Sequence, residues 1–191
     1  MSGPSADYDV VVVGAGLVGL ALAPALVRAG LSVALVDRAG VATPEPPLAG
    51  EDWDARVYAV SPGSAAFLRA MGAWQHVPPD RIAPVESMRV EGDTGARLNF
   101  SAYDLGERAL AWIVEERELR AALVPPVHAA GVTTFAPCTF AALAWNPDFA
   151  ELRLGDGTEV RARLVVAADG LRSWVREVAG LGATPQSYGQ T

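Results

Sequence analysis

Residues Asp9–Arg38 read DVVVVGAGLVGLALAPALVRAGLSVALVDR. In this segment three glycines, Gly14, Gly16 and Gly19, directly follow an apolar run that is typical of a buried strand, and Asp37 ends a second such run. In a dinucleotide-binding βαβ unit, glycines at this spacing make a tight turn, let the backbone approach a pyrophosphate, and let the helix pack on the strand. The segment therefore predicts a Rossmann-like unit that binds a dinucleotide.

The predicted unit has strands at residues 8–13 and 32–36 with a helix at 17–29 between them. Because unpaired N–H groups and the helix dipole favour anions at a helix N-terminus, we expect the phosphates to bind there. The predicted phosphate-binding residues are Gly14, Ala15, Gly16, Leu17 and Gly19. Asp37 is expected to accept hydrogen bonds from the adenosine ribose, and Arg38 to lie on the adenine side.

The composition indicates a globular α/β protein with one main core. Apolar residues make up 51% of the 191 residues and charged residues 19%, which suits a parallel sheet covered on both faces. All 15 basic residues are arginine, so catalysis by a lysine of this chain is excluded. With a net charge of −7 and no basic cluster, no nucleic-acid partner is expected. The single cysteine, Cys138, cannot form an internal disulfide and fits a cytoplasmic location.

An uncharged run at residues 10–27 is long enough to suggest a membrane span. The glycines and Pro24 interrupt it, and acidic rather than basic residues precede it, unlike in a signal peptide. We therefore expect a strand, a turn and a buried helix here, and no transmembrane segment. No metal site is predicted, because the two histidines, His76 and His128, lack partner ligands in the sequence around them.

The order of predicted elements differs from a plain series of βαβ units. We expect one partial cofactor-binding domain, with the βαβ unit at residues 8–38, an inserted helix and β-rich region at about 53–161, and a return strand, Asp-Gly turn and helix at 164–179. Ser61 is expected to cap a helix that begins at Pro62. A second helix, at residues 115–124, is expected to end at Pro125 and Pro126.

Several separated segments carry a family resemblance. Residues 54–60 read DARVYAV, similar to D-G-R-x-x-A-L, and residues 164–176 read LVVAADGLRSWVR, an apolar strand followed by D-G-x-x-S-x-x-R. Residues 114–119 (VEEREL) and 188–191 (YGQT) agree with shorter family segments. Together with the glycine motif, they resemble the flavoprotein aromatic hydroxylases of the p-hydroxybenzoate hydroxylase fold, and most of all the hydroxylases of ubiquinone biosynthesis.

The resemblance implies an FAD-binding Rossmann-like parallel sheet with an inserted β-rich region, and it implies roles for particular residues. Arg56 is expected at the FAD pyrophosphate, Arg117 near the flavin, and Asp169 with Gly170 in flavin and nicotinamide cofactor binding. Related enzymes often carry arginine, glutamine or asparagine where this chain has Glu116. No catalytic residue is predicted, because the cofactor carries the chemistry.

For the parent enzyme, the resemblance implies that NAD(P)H reduces FAD and that one oxygen atom of O2 is transferred to a phenolic ring. A polyprenyl phenol of the ubiquinone pathway is the expected small-molecule substrate. Such a substrate suggests association with the periphery of the inner membrane or with a biosynthetic complex. The family's later G-D-A-A-H-type segment is not in the sequence, and residues 184–191 resemble the start of the substrate sheet. We therefore interpret the chain as the N-terminal half of such a monooxygenase.

Other functions stay open at this stage. An NAD(P)-dependent dehydrogenase could use the same glycine motif, although the β-rich insertion and the Asp-Gly segment argue against it. A nucleotide-binding fragment without catalytic activity is a further alternative. Among flavoenzymes, an epoxidase or a halogenase is also compatible with the motifs.

Overall fold

A computed structural model describes residues 5–42, 53–182, 184 and 186. Its elements, in chain order, are β1 (Tyr8–Val13), α1 (Leu17–Arg28), β2 (Val33–Val36), β3 (Val57–Val60), α2 (Pro62–Ala70), β4 (Ala83–Val85), β5 (Ser87–Glu91), β6 (Arg97–Ser101), β7 (Ala111–Glu115), α3 (Glu116–Ala129), β8 (Thr133–Phe135), β9 (Phe140–Trp145), β10 (Ala150–Leu154), β11 (Glu159–Ala167) and α4 (Trp174–Val178). They form two compact units, the first made of residues up to Val41 and from Val132 onward, the second of Ala42–Gly131. The region predicted at 184–191 lies almost entirely outside the described residues.

The first unit is built on a six-stranded sheet with the order β8-β2-β1-β11-β10-β9. Strand β1 pairs in parallel with β2 and β11, and β8 extends the parallel part beside β2. Residues 10–13 of β1 and all of β2 are buried, as expected for central strands covered on both faces. The parallel βαβ unit predicted from the glycine motif is therefore confirmed.

The described structure differs from the expected insertion of residues 53–161. Strands β8, β9 and β10 belong to the main sheet, and the second unit ends at Gly131. The reason is side-chain burial: Leu152, Leu154 and Val160 share one core cluster with Val11 and Val13 of β1. Strand β11 begins at Glu159, earlier than the return strand predicted from residue 164, because its first half pairs with β10 and its second half with β1.

The second unit holds a three-stranded antiparallel sheet, β3-β7-β4, a two-stranded hairpin, β5-β6, and helices α2 and α3. The predicted cap of α2 is confirmed: the Ser61 hydroxyl accepts a hydrogen bond from the Ser64 N–H at 3.2 Å, and Pro62 opens the helix. Gly72, which follows the end of α2, has a positive φ of 75°. Side-chain capping and glycine termination thus set both ends of this helix.

The predicted end of the next helix is wrong. Helix α3 continues through Pro125 and Pro126 to Ala129, although each proline removes one backbone donor from the helix. Both Val124 and Val127 beside the prolines are buried, at 4% and 0% exposure. Burial of this apolar surface offsets the lost hydrogen bonds, and local propensity alone could not show it.

Among the described residues, no helix combines the length and hydropathy needed to cross a membrane.

Candidate nucleotide-binding site

The turn after β1 places Gly14 against the segment that follows β11. The Gly14 N–H donates to the Val36 carbonyl oxygen at 2.8 Å, and its φ of +108° lies in the region that favours glycine. A Cβ at this position would overlap the backbone of Ala168 and lie 2.8 Å from the Cα of Asp169. Gly14 is therefore required by the fold, because the turn and the Asp-Gly segment approach each other too closely for a side chain.

The other two glycines of the motif differ in their surroundings. A Cβ at Gly19 would overlap the carbonyl oxygen of Gly14, so Gly19 lets α1 pack on the turn. A Cβ at Gly16 would meet no atom within 4 Å among the described residues. Gly16 precedes Leu17, where α1 begins, with no capping side chain and no acidic residue in its first turn. The backbone at Gly16 and Leu17 therefore forms an open cradle, which a Cβ on Gly16 would fill. It lies at a helix N-terminus, where N–H groups can bind a phosphate.

Asp37 lies at the end of β2 and contacts the glycine turn directly. Its Oδ2 accepts a hydrogen bond from the Ala15 N–H at 2.6 Å, and its Oδ1 accepts one from the Ala39 N–H at 2.6 Å. A carboxylate offers about four lone-pair positions, so sugar hydroxyls can still bind to it. The sequence predicted only a contact with ribose. The structure adds that this carboxylate also fixes the conformation of the turn.

A small pocket of about 90 Å³ lies beside the turn, and its lining residues are Gly14, Asp37, Arg38, Phe140, Asp169 and Arg172. The guanidinium of Arg38 lies 5.3 Å from the centre of the Phe140 ring, within the range of a cation–π contact. Phe140 in turn packs against Trp174 with 5.3 Å between ring centroids. Sequence reasoning missed Phe140, because no motif surrounds it and only the pairing of β9 brings it to the site.

The Asp-Gly segment has a structural explanation in the described contacts. The Asp169 carboxylate accepts hydrogen bonds from the Ser173 hydroxyl at 2.5 Å and from the Val175 N–H at 3.1 Å. Ser173 Oγ also accepts from the Arg176 N–H at 3.0 Å and caps α4. Gly170, with φ +83°, makes the turn between them. Helix α4 consequently begins at Trp174, whereas the sequence predicts a helix over residues 171–179.

In the second unit, Arg56 is an exposed cation held by one carboxylate. Its Nη1 lies 2.7 Å from Oε2 of Glu116, and 69% of its side chain is exposed. The hydrogen bond that Arg56 donates to Glu116 raises the pKa of the guanidinium, which therefore stays charged. An open pocket of about 550 Å³ is lined by Asp54, Ala55, Arg56 and Glu116. Arg56 can therefore offer its guanidinium to an anion from solvent.

Arg117 is placed differently from Arg56. Its Nη2 lies 3.1 Å from Oε2 of Glu115, its Nε lies 3.4 Å from Oε1 of Glu118, and only 19% of its side chain is exposed. Glu115 is almost fully buried, at 3% exposure, and also accepts from Arg81 Nη1 at 3.0 Å and from the Asp54 N–H at 2.8 Å. Sequence reasoning missed this buried carboxylate, whose only signal was its place at the end of an apolar run.

The described contacts thus sort the predicted residues by unit. The first unit brings together Gly14, Ala15, Gly16, Leu17, Gly19, Asp37, Arg38, Asp169 and Gly170, whereas Arg56 and Arg117 belong to the second. Within the part of the chain that the structure describes, no cluster of three or more histidine, cysteine, aspartate or glutamate side chains is arranged to hold a metal ion.

A glycine turn, a helix N-terminus open to solvent and an acid at the end of the second strand define a dinucleotide-binding α/β protein. Similarity to known proteins narrows this class. The family model described as "FAD binding domain" matches residues 7–189. The chain belongs to this family of FAD-binding domains, which confirms the resemblance and the cofactor inferred from the motifs.

Two curated relatives match nearly the whole chain. Ubiquinone hydroxylase UbiL of Rhodospirillum rubrum is 36% identical over 184 residues, which are 96% of this chain and 42% of that protein. The 3-demethoxyubiquinol 3-hydroxylase of Escherichia coli is 34% identical over 184 residues, 96% of this chain and 46% of that protein. The chain therefore spans less than half the length of these relatives.

A solved structure agrees on the fold. The flavin-dependent monooxygenase PieE, in complex with FAD and substrate, superimposes with a TM-score of 0.66 at 23% identity, covering 92% of this chain and 33% of that one. At this identity the likeness bears on fold alone, and the predicted class, an FAD-binding α/β fold with a parallel-rich sheet, is confirmed.

Proposed function

We propose that this chain is the FAD-binding part of a flavin-dependent monooxygenase that hydroxylates a phenolic ring in ubiquinone biosynthesis. The observation that carries the cofactor role is the open cradle at Gly16, before a helix whose first turn lacks a capping side chain and a negative charge. The family model and the names of the two curated relatives support the same cofactor and substrate class.

The N–H groups in the first turn of α1, at Leu17 and Gly19, and the backbone at Gly16 would hold the cofactor diphosphate. Gly14 and Ala15, whose N–H groups donate to Val36 and Asp37, would hold the turn in the shape that this requires. Asp37 would accept hydrogen bonds from the adenosine ribose, and Arg38, stacked on Phe140, would lie on the adenine side. Bound FAD supplies the redox and oxygen chemistry, with NAD(P)H as the reductant. The chain itself binds and orients the cofactor, and its backbone donors need no change of protonation to do so.

The remaining predicted residues would act in two ways. Arg56 would bind a phosphate directly, because its guanidinium is exposed and arginine matches phosphate geometry. Asp169 and Arg117 would act by shaping their loops, because their charged groups already contact neighbouring residues of their own units. Gly170 would allow the turn that brings Asp169 to the start of α4.

The test is a titration of the purified 191-residue chain with FAD, followed by flavin fluorescence and by visible absorbance after gel filtration. We expect saturable binding of FAD and release of free flavin on heating. A folded chain that binds NAD(P)H but not FAD would favour the dehydrogenase alternative. A folded chain that binds neither nucleotide would refute the proposed cofactor role.

We further propose a polyprenyl phenol as substrate, because both relatives are named for the hydroxylation of ubiquinone or a ubiquinol. From the apolar prenyl chain of such a substrate we propose a cytoplasmic location at the periphery of the inner membrane. Both proposals concern the whole protein, because the two relatives are more than twice as long as this chain. The test is product analysis and vesicle flotation with the full-length protein. A full-length enzyme that hydroxylates only water-soluble phenols and does not float with vesicles would contradict both.

A further inference from the structure

The ion pair between Arg56 and Glu116 joins two groups with opposite effects on an anionic ligand. The guanidinium attracts a phosphate, and the carboxylate that holds it repels one. We propose, resting on the proposed function, that Glu116 competes with a nucleotide phosphate for Arg56 and thereby weakens and tunes nucleotide binding. The competing ligand group is a phosphate or diphosphate, which FAD and NAD(P)H both carry.

The backbone around Arg56 is fixed without help from its side chain. The Asp54 N–H donates to Glu115 Oε2 at 2.8 Å, and the Asp54 carboxylate accepts from the N–H groups of Arg56 at 3.0 Å and Arg117 at 3.2 Å. The Glu116 N–H donates to the Arg56 carbonyl oxygen at 2.9 Å. These bonds hold the loop on the first turn of α3. The guanidinium can therefore exchange its partner while the loop stays in place.

The exchange is favoured by exposure and by charge. The side chains are 69% and 27% exposed for Arg56 and Glu116, so the pair lies in a screened, high-dielectric environment. Pairs of this kind change equilibria by no more than about fivefold. A phosphate offers arginine two parallel charge-assisted hydrogen bonds, which are stronger than the single contact that Glu116 Oε2 makes at 2.7 Å. The phosphate should displace the carboxylate at a small cost.

Glu116 stands where the resemblance implies arginine, glutamine or asparagine, and its negative charge repels an anionic ligand. Its contact with Arg56 gives it a local function, because it keeps the exposed guanidinium oriented beside the pocket of about 550 Å³. Glu116 therefore orients the Arg56 guanidinium more tightly and weakens the net attraction between this site and an anionic ligand.

The test compares four versions of the full chain, namely wild type, Glu116→Gln, Arg56→Ala and the double variant, each titrated with FAD. We expect Glu116→Gln to bind FAD about twofold to fivefold more tightly than wild type. The gain should vanish in the Arg56→Ala background, because the carboxylate acts through that guanidinium. It should also shrink in 1 M salt, where exposed charges are screened. A matched control is Glu91→Gln, since Glu91 pairs with Arg97, whose side chain is also 69% exposed.

A second measurement follows Arg56 itself. Phenylglyoxal modification of Arg56, quantified by peptide mass spectrometry, should be slowed by inorganic pyrophosphate and accelerated in Glu116→Gln. Separate arms with FAD and with NADPH identify which nucleotide supplies the phosphate. Absence of protection in all three arms, or FAD affinity that is equal or weaker in Glu116→Gln, overturns the proposal. Protection by pyrophosphate in a chain that binds no FAD would instead refute the proposed cofactor and leave the competition at Arg56 standing.

Discussion

Substitution of Gly16 by alanine should leave the stability of the fold almost unchanged and should weaken the binding of FAD. The φ of Gly16 is −74°, which alanine adopts without strain, and its Cβ would meet no described atom within 4 Å. Alanine is a poorer N-cap than glycine, which lowers the free energy of unfolding by roughly 0.5–1 kcal/mol. Alanine also restricts the unfolded chain, which raises the free energy of unfolding by a similar amount. We therefore expect the melting temperature to change by less than about 4 °C.

The same substitution should strongly weaken FAD binding. The added methyl group occupies the space through which a phosphate would reach the N–H groups at the start of α1. Loss of a single charge-assisted hydrogen bond costs about 1.5–3 kcal/mol, so the affinity should fall at least about tenfold. Fluorescence titration measures the affinity, and circular dichroism melting measures the stability of the same samples.

Two further variants make the experiment decisive. Gly63→Ala is the matched control, because a Cβ there also meets nothing within 4 Å and its location is helix α2; neither affinity nor stability should fall. Gly14→Ala should instead lose roughly 3 kcal/mol of stability, about 10 °C, because its φ is +108° and its Cβ overlaps backbone. If Gly16→Ala binds FAD as tightly as wild type, the ligand is not held at the N-terminus of α1.

Three other predictions follow from the contacts. Glu115→Ala should cost about 3 kcal/mol in thermal melts because the buried carboxylate holds two arginines, whereas Glu118→Ala, as control, should cost less than about 1 kcal/mol; equal losses would contradict this. The N–H of Arg56 holds the pKa of Asp54 below its ordinary value of about 4, so the ionised group stabilises the fold above that pH. The advantage of wild type over Asp54→Asn in melting temperature should therefore shrink as the pH falls below about 4, and a constant difference would refute this. Burial raises the pKa of the Cys138 thiol, so iodoacetamide at pH 8 should alkylate it more slowly in the folded chain than in urea, and equal rates would argue against burial.

The sequence predicted those parts of the fold that depend on neighbouring residues. The glycine turn and the cap at Ser61 both follow from local chemistry, and the structure has both. Burial in the tertiary structure decided the rest. Helix α3 passes through Pro125 and Pro126 because its apolar face is covered. No local signal states which face of a helix will be buried.

Strand pairing was the second feature that the sequence could not predict. The segments of β9 and β10 lie in the predicted β-rich region, yet nothing local assigned them to the main sheet instead of the insertion. The same limit hid Phe140, which reaches Arg38 only through the position of β9 in the sheet. Buried charge was the third limit, because Glu115 looks like one half of an ordinary acid pair until its three donors are known.

The acids of the two motifs show why a motif match cannot by itself establish a ligand contact. Asp37 and Asp169 both occupy their motif positions, and both accept hydrogen bonds from their own chain. Either residue could be retained for stability alone, as could Gly14 and Gly19, whose missing side chains the backbone requires. Gly16 differs from these four, because its described surroundings would tolerate a side chain. A glycine that the fold does not need is best explained by what must approach it, so the affinity of Gly16→Ala is the measurement that links this motif to a nucleotide.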